Sequence, residues 1–117
     1  MEFIFDNNKP IYKQLVDQLT VAIVTNVYKP GEKIPSVREY ALMMNVNPNT
    51  INRALLELED KKLIITKRTS GKFVTEDTNI LNEARNNLAK ETVNEFKNSM
   101  NKLNISTDEI IRMIKGE

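Results

Sequence analysis

The chain has 117 residues, 40% of them apolar and 28% charged, which is room for one compact domain plus a short appendage and is not the composition of a disordered protein. It holds no cysteine and no histidine, which excludes disulfides, thiol nucleophiles, His-based triads and the common zinc sites, so no metal or other cofactor is expected and an enzyme is the weakest reading. No apolar run approaches the roughly 18 residues that a membrane helix needs, and Met1-Glu2-Phe3-Ile4-Phe5-Asp6 has an acid where a signal peptide would be basic, so a cytoplasmic protein without a membrane partner is expected.

The net charge of +1 is itself silent about nucleic acid. Residues 1–76 hold eleven Lys/Arg and nine Asp/Glu, and residues 77–117 hold six and seven, a small asymmetry. A nucleic-acid reading must rest on where particular groups sit.

In chain order, the first predicted helix runs from about Pro10 to Asn26. Ile11, Leu15, Leu19 and Ile23 recur every four residues, with Val16 and Ala22 widening the stripe and Lys13, Gln14, Asp17 and Gln18 on the other face. Pro10 suits the first helical turn, and Pro30-Gly31 marks a turn. A second helix opens at Ser36, which with Glu39 makes an S-x-x-E capping box; Val37, Tyr40, Ala41 and Met44 follow at helical spacing, and Asn45 is placed to end it. The third helix starts at Asn47-Pro48, a cap followed by a first-turn proline, and turns Ile51, Ala54, Leu55 and Leu58 inward. Two short helices joined by about four residues form a helix-turn-helix pattern. Leu63–Thr66 and Lys72–Thr75, separated by Lys67-Arg68-Thr69-Ser70-Gly71, read as a hairpin with a basic, polar tip, which completes a winged helix.

Past Asp77 the character changes. A long helix capped by Thr78 or Asn79 carries a narrow apolar stripe of Leu81, Ala84, Leu88, Val93, Phe96, Met100 and Leu103 on an Asn-rich rod. Ser106 and Glu109 repeat the capping-box pattern before a last short helix with Ile110, Ile111, Met113 and Ile114. Two such helices cannot form an independent core of normal size, and a second copy of the chain is the simplest surface to cover them. The expected architecture is therefore α+β, mainly α: residues 1–76 a winged helix-turn-helix domain, residues 77–117 a two-helix dimerisation region.

A helix that enters the major groove presents short polar side chains near its N-terminus. The third helix has Asn47, Asn49, Thr50, Asn52 and Arg53 there. Asn pairs with adenine N6 and N7, Arg with guanine O6 and N7, and the Thr methyl meets a thymine methyl. Singly, Asn47 reads as a cap and Asn49 and Arg53 as solvated side chains; as a set on one face they point to DNA. Arg38 sits just inside the second helix, where a cation opposes the macrodipole, so a phosphate or base contact accounts for it better than helix stability does. Lys67, Arg68 and Lys72 around Gly71 suit phosphate contact by the wing, although edge strands also carry Lys to discourage aggregation, and Gly71 has a purely conformational use.

The strings Ile11-Tyr12-Lys13-Gln14-Leu15, Pro30-Gly31-Glu32-Lys33-Ile34-Pro35-Ser36-Val37-Arg38-Glu39, Val46-Asn47-Pro48-Asn49-Thr50-Ile51-Asn52-Arg53-Ala54-Leu55, Leu58-Glu59 and Gly71-Lys72-Phe73-Val74 together resemble the GntR family of bacterial regulators over about the first two-thirds of the chain. The remainder resembles the YtrA subfamily, whose short C-terminal part is two helices used for dimerisation. The resemblance implies a DNA-binding regulator, and puts Arg38, Asn49, Thr50, Asn52 and Gly71 at the DNA; Ser36, at the start of the same helix as Arg38, is counted with the DNA-binding residues. The same resemblance implies a homodimeric repressor on an inverted-repeat operator of double-stranded DNA, near transporter genes. Many family members have Ser-Arg or Thr-Arg where this chain has Asn47-Pro48, so base readout here leans on Asn49, Asn52 and Arg53. A small-molecule effector would have to bind at the dimer interface or between the helices and the winged module. The competing reading is a winged-helix protein–protein interaction module without specific DNA binding.

Overall fold

The computed structural model describes residues 1–117 as α1 (Ile11–Val24), α2 (Val37–Met44), α3 (Pro48–Asp60), β1 (Ile64–Lys67), β2 (Gly71–Val74), α4 (Thr78–Lys102) and α5 (Thr107–Lys115). Five helices and one two-stranded antiparallel sheet make the chain mainly α, as the periodicity predicts. Two compact units divide it, Met1–Arg85 and Asn86–Glu117.

In the first unit α1 and α3 lie together through their apolar stripes. Leu15, Val16, Leu19, Ala22 and Ile23 of α1 and Ile51, Ala54, Leu55 and Leu58 of α3 are all buried in one cluster with Tyr40, Leu63, Ile64 and Val74. Each fully buried Leu or Ile contributes about 1.5–3 kcal/mol of transfer free energy, which makes this stripe pair the main tie between the helices. Tyr40 is fully buried yet polar; its hydroxyl donates to the Tyr28 hydroxyl at 2.9 Å, which satisfies the buried donor. Burial, with the Tyr28 bond second, pushes the Tyr40 hydroxyl far above the usual range, so it stays neutral.

Several elements differ from the sequence reading in detail. Pro10 has φ −55° and ψ 123°, so it precedes α1 as its cap instead of lying in its first turn. Gln14 and Gln18, expected on the solvent face, hold the extended N-terminal arm. Gln18 accepts from the Ile4 N–H at 3.2 Å and donates to the Ile4 carbonyl at 2.6 Å, and Gln14 makes the same pair of bonds to Asp6 at 2.7 and 2.8 Å. The arm carries Phe3 onto the core, where it meets Tyr40 edge-to-face with ring centroids 6.0 Å apart. A two-residue apolar alternation is too short to announce this from sequence.

The wing is registered Ile64↔Val74 through Lys67↔Gly71, so its tip is the three-residue loop Arg68–Ser70. Residues 31–34, which continue from the Pro30-Gly31 turn, run beside β2 and bond to it through an isolated bridge without forming a strand. The Gly31 N–H donates to the Val74 carbonyl, the Val74 N–H to that of Glu32 and the Ile34 N–H to that of Lys72, each at 2.9 Å, around a Lys33–Phe73 bridge.

The α4 helix is capped by Asp77, whose Oδ1 accepts from the Asn79 N–H at 2.9 Å, not by Thr78 or Asn79 as expected. Its first two turns belong to the first unit: Ile80, Leu81 and Ala84 pack half-buried against the core. In the second unit Ser106 caps α5 by accepting from the Glu109 N–H at 3.2 Å, and Gly116 closes it at φ 76°. Ile110 is buried there, whereas Val93, Phe96, Leu103, Ile111, Met113 and Ile114 are exposed. No helix of the chain is long and apolar enough to cross a membrane.

Candidate nucleic-acid interface

The interface is built on the start of α3. Asn47 caps that helix by accepting from the Asn49 N–H at 2.8 Å, and Pro48 fills the first position, where its missing N–H costs nothing. The amide oxygen of Asn47 is thus committed to the backbone. With Ile51, Ala54, Leu55 and Leu58 turned into the core, the helical period puts Asn49, Asn52 and Arg53 on the opposite, exposed side, with Thr50 half-buried at its edge. Leu56 shares that side and is exposed, an apolar residue that a pattern of polar groups does not reveal.

The start of α2 has both arms of the capping box. Ser36 Oγ accepts from the Glu39 N–H, and Glu39 Oε1 accepts from the Ser36 N–H, each at 3.1 Å. The Ser36 backbone and hydroxyl bonds hold the Glu39 carboxyl below the usual range. The side chain of Ser36 is therefore structural first, while Arg38, two positions on, is exposed and has no ion-pair partner in the chain.

The wing sorts its cations into different roles. Arg68 is exposed on the tip loop, and Lys67 Nζ lies 4.5 Å from the Phe73 ring centroid. Lys72, expected at the DNA, instead points back to α3: its Nζ bonds Glu59 Oε1 and lies 3.0 Å from Thr66 Oγ1. The reason is chemical. Glu59, in the last turn of α3, is largely shielded and also accepts from the Thr66 hydroxyl at 2.5 Å, so its carboxylate is placed to draw the Lys72 ammonium in. The Lys72 and Thr66 bonds hold its carboxyl below the usual range. Lys33, which no motif in the sequence singles out, runs its side chain across Gly71, so the wing gains a cation from the Pro30-Gly31-Glu32-Lys33 turn. Gly71 itself has φ +111°, a region open to glycine and hardly to any other residue.

Arg53 has a partner on another helix. Its guanidinium carbon lies 3.6 Å from the centroid of the Tyr12 ring in the first turn of α1. The acids nearest this face are occupied elsewhere: Glu57 pairs with Lys61 at 3.5 Å and Glu59 with Lys72. What results is a helix end offering amide and guanidinium groups, a free arginine on the neighbouring helix, and a basic hairpin, with no carboxylate of the set left unpaired except Asp60 at the far end of α3.

The model of the bacterial regulatory proteins of the gntR family matches residues 11–74. The HTH-type transcriptional regulator YhcF of Bacillus subtilis is 38% identical over 111 residues, which cover 95% of this chain and 92% of that protein. The HTH-type transcriptional repressor YtrA of Bacillus subtilis is 39% identical over 71 residues, 61% of this chain and 55% of that one. A solved GntR family transcriptional regulator from Listeria monocytogenes superposes with a TM-score of 0.88 at 43% identity, over 97% of this chain and 99% of that chain. The DNA-binding domain of AraR, solved in complex with operator ORR3, has a TM-score of 0.54 at 27% identity, over 64% of this chain and 86% of that one.

Proposed function

This chain belongs to the GntR family of bacterial regulatory proteins, transcriptional regulators and not enzymes, and from that premise we propose that it is a repressor that binds an inverted-repeat operator as a homodimer. The observation that carries the reading is the exposed set Asn49, Asn52 and Arg53 on a capped helix start, with unpaired Arg38 beside it. Asn49, Asn52 and Arg53 contact base edges, with Thr50 at the flank; Arg38, Arg68, Lys67 and Lys33 contact phosphates. Asn47, Ser36 and Gly71 act by shaping the backbone that makes those contacts, and Lys72 braces the wing.

The sign of regulation follows YtrA, a named repressor, and the operator contact follows AraR, whose domain was captured on one. The second unit supplies the partner. Val93, Phe96, Leu103, Ile111 and Ile114 are apolar and exposed along α4 and α5, with Leu88 and Met100 half-buried among them. A second copy covering them joins two winged modules, so half-sites are spaced by one or more helical turns of about 34 Å. Ile110 is buried within its own unit and Leu81 and Ala84 are held against the winged core, so of the predicted stripe it is the remaining residues that are offered to a second copy.

Selection of bound duplexes from a random pool, followed by anisotropy titration, tests the proposal. An enriched palindrome whose affinity falls by about 10³-fold or more between 50 and 200 mM salt is the expected result. No enriched sequence at low salt would transfer the chain to the protein-interaction class.

A further inference from the structure

We infer that Tyr12 positions Arg53 for base contact, so that a residue of α1 helps set DNA sequence preference although it lies outside the helix that reads the bases. The inference rests on the DNA-binding reading above. At 3.6 Å between the guanidinium carbon and the ring centroid there is no room for an N–H group between them, so the guanidinium meets the ring with its face. That contact uses the cation's charge and flat surface and leaves its N–H edge unspent.

Nothing else in the chain claims that edge. Arg53 makes no side-chain hydrogen bond or ion pair, and the carboxylates one turn further along α3 are taken by Lys61 and Lys72. The stack is also held by rigid parts. Tyr12 and Arg53 project from α1 and α3, which are locked together by the Leu15–Ile23 and Ile51–Leu58 stripes. Arg68, by contrast, sits on a three-residue loop, and Arg38 has no hydrogen bond, ion pair or ring contact to fix it. An arginine held in one orientation before binding loses less rotamer freedom on binding, and its fork keeps the geometry that guanine O6 and N7 require. A purely structural role is poorly motivated, because α1 and α3 already share a dry core and an exposed cation–π contact adds little to it.

The test uses the full-length dimer, its selected operator, and the variants Arg53→Ala, Arg53→Lys, Tyr12→Phe, Tyr12→Leu and the Tyr12→Leu/Arg53→Ala double. Arg53→Ala should weaken operator binding about tenfold and relax preference at one base pair per half-site. Tyr12→Leu, which keeps the bulk and removes the π face, should weaken it between about twofold and tenfold and relax preference at that same base pair. Tyr12→Phe should match wild type, Arg53→Lys should lose the preference while keeping the charge, and the double variant should bind no worse than Arg53→Ala. The inference is overturned if Tyr12→Leu keeps the wild-type preference, if its effect adds fully to that of Arg53→Ala, if Arg53→Lys reads the operator normally, or if Tyr12→Phe fails as Leu does, which would make the hydroxyl the working group. A wild-type chain that selects no sequence at all would instead remove the DNA reading, and this inference with it.

Discussion

At Gly71 the backbone runs at φ +111°, and a methyl group built there would lie 2.9 Å from Lys33 Cε. The lysine end is flexible and can move; the dihedral cannot be relieved as cheaply. Gly71→Ala should therefore lower stability by about 1–3 kcal/mol in urea denaturation, and displace Lys33 from the wing, so that operator affinity falls as well. A loss of affinity without any loss of stability would separate the two effects and contradict the strain argument. Arg38 makes the opposite prediction, since nothing in the chain depends on it. Arg38→Ala should leave the unfolding midpoint in place, weaken binding to every duplex alike, and reduce the salt slope by about one. Asn52→Ala should change preference at one position instead.

Between elements, the Glu59–Lys72–Thr66 group joins the end of α3 to both strands of the wing. Removing the carboxylate leaves a largely shielded ammonium without its partner, so Glu59→Gln should cost about 1–3 kcal/mol. Its pH dependence has a definite sign. The folded carboxyl titrates below its ordinary value of 4.5 because Lys72 and Thr66 bond the charged form. Its stabilising effect is accordingly full above pH 4.5 and lost as pH falls through the lower folded value. The stability gap between wild type and Glu59→Gln, followed by chemical denaturation, should narrow on acidification in that window; a gap that widened would reverse the assignment. The Ser36–Glu39 capping box is a second inter-residue device; at Ser106 only the arm from the Glu109 N–H is made. Ser36→Ala removes the acceptor for the Glu39 N–H and should cost about 1 kcal/mol.

For the whole molecule, the unused apolar surface is concentrated in Asn86–Glu117. Phe96 is 39% exposed and Ile114 73% exposed, in a unit whose long helix buries no residue fully. Phe96→Glu or Ile114→Glu should leave helicity intact and shift the sedimenting species from twice the chain mass to 13.5 kDa. Operator affinity should then fall by about 10²-fold or more, because the second half-site is no longer tethered to the first. A charged variant that stayed dimeric would move the pairing surface elsewhere.

Much of the fold was legible because its determinants are local. The four-residue recurrence from Ile11 to Ile23, the Ser36–Glu39 box and Asn47-Pro48 each specify a helix or its start through neighbours within one turn, and the structure has all of them. The hairpin was legible for the same reason. What the sequence could not announce depends on groups distant along the chain meeting in space. Gln14 and Gln18 look like solvent residues until the arm returns to them, Lys72 looks like a DNA contact until Glu59 is seen beside it, and Leu81 and Ala84 look like a pairing stripe until the first turns of α4 pack on the core. The residues alone therefore determined the order of elements, the polar helix start and the family, because backbone geometry and capping act over a few positions. Tertiary structure alone decided which cations are spent internally and which arginine is stacked, because a charge is claimed by whatever the fold brings within a few ångströms of it.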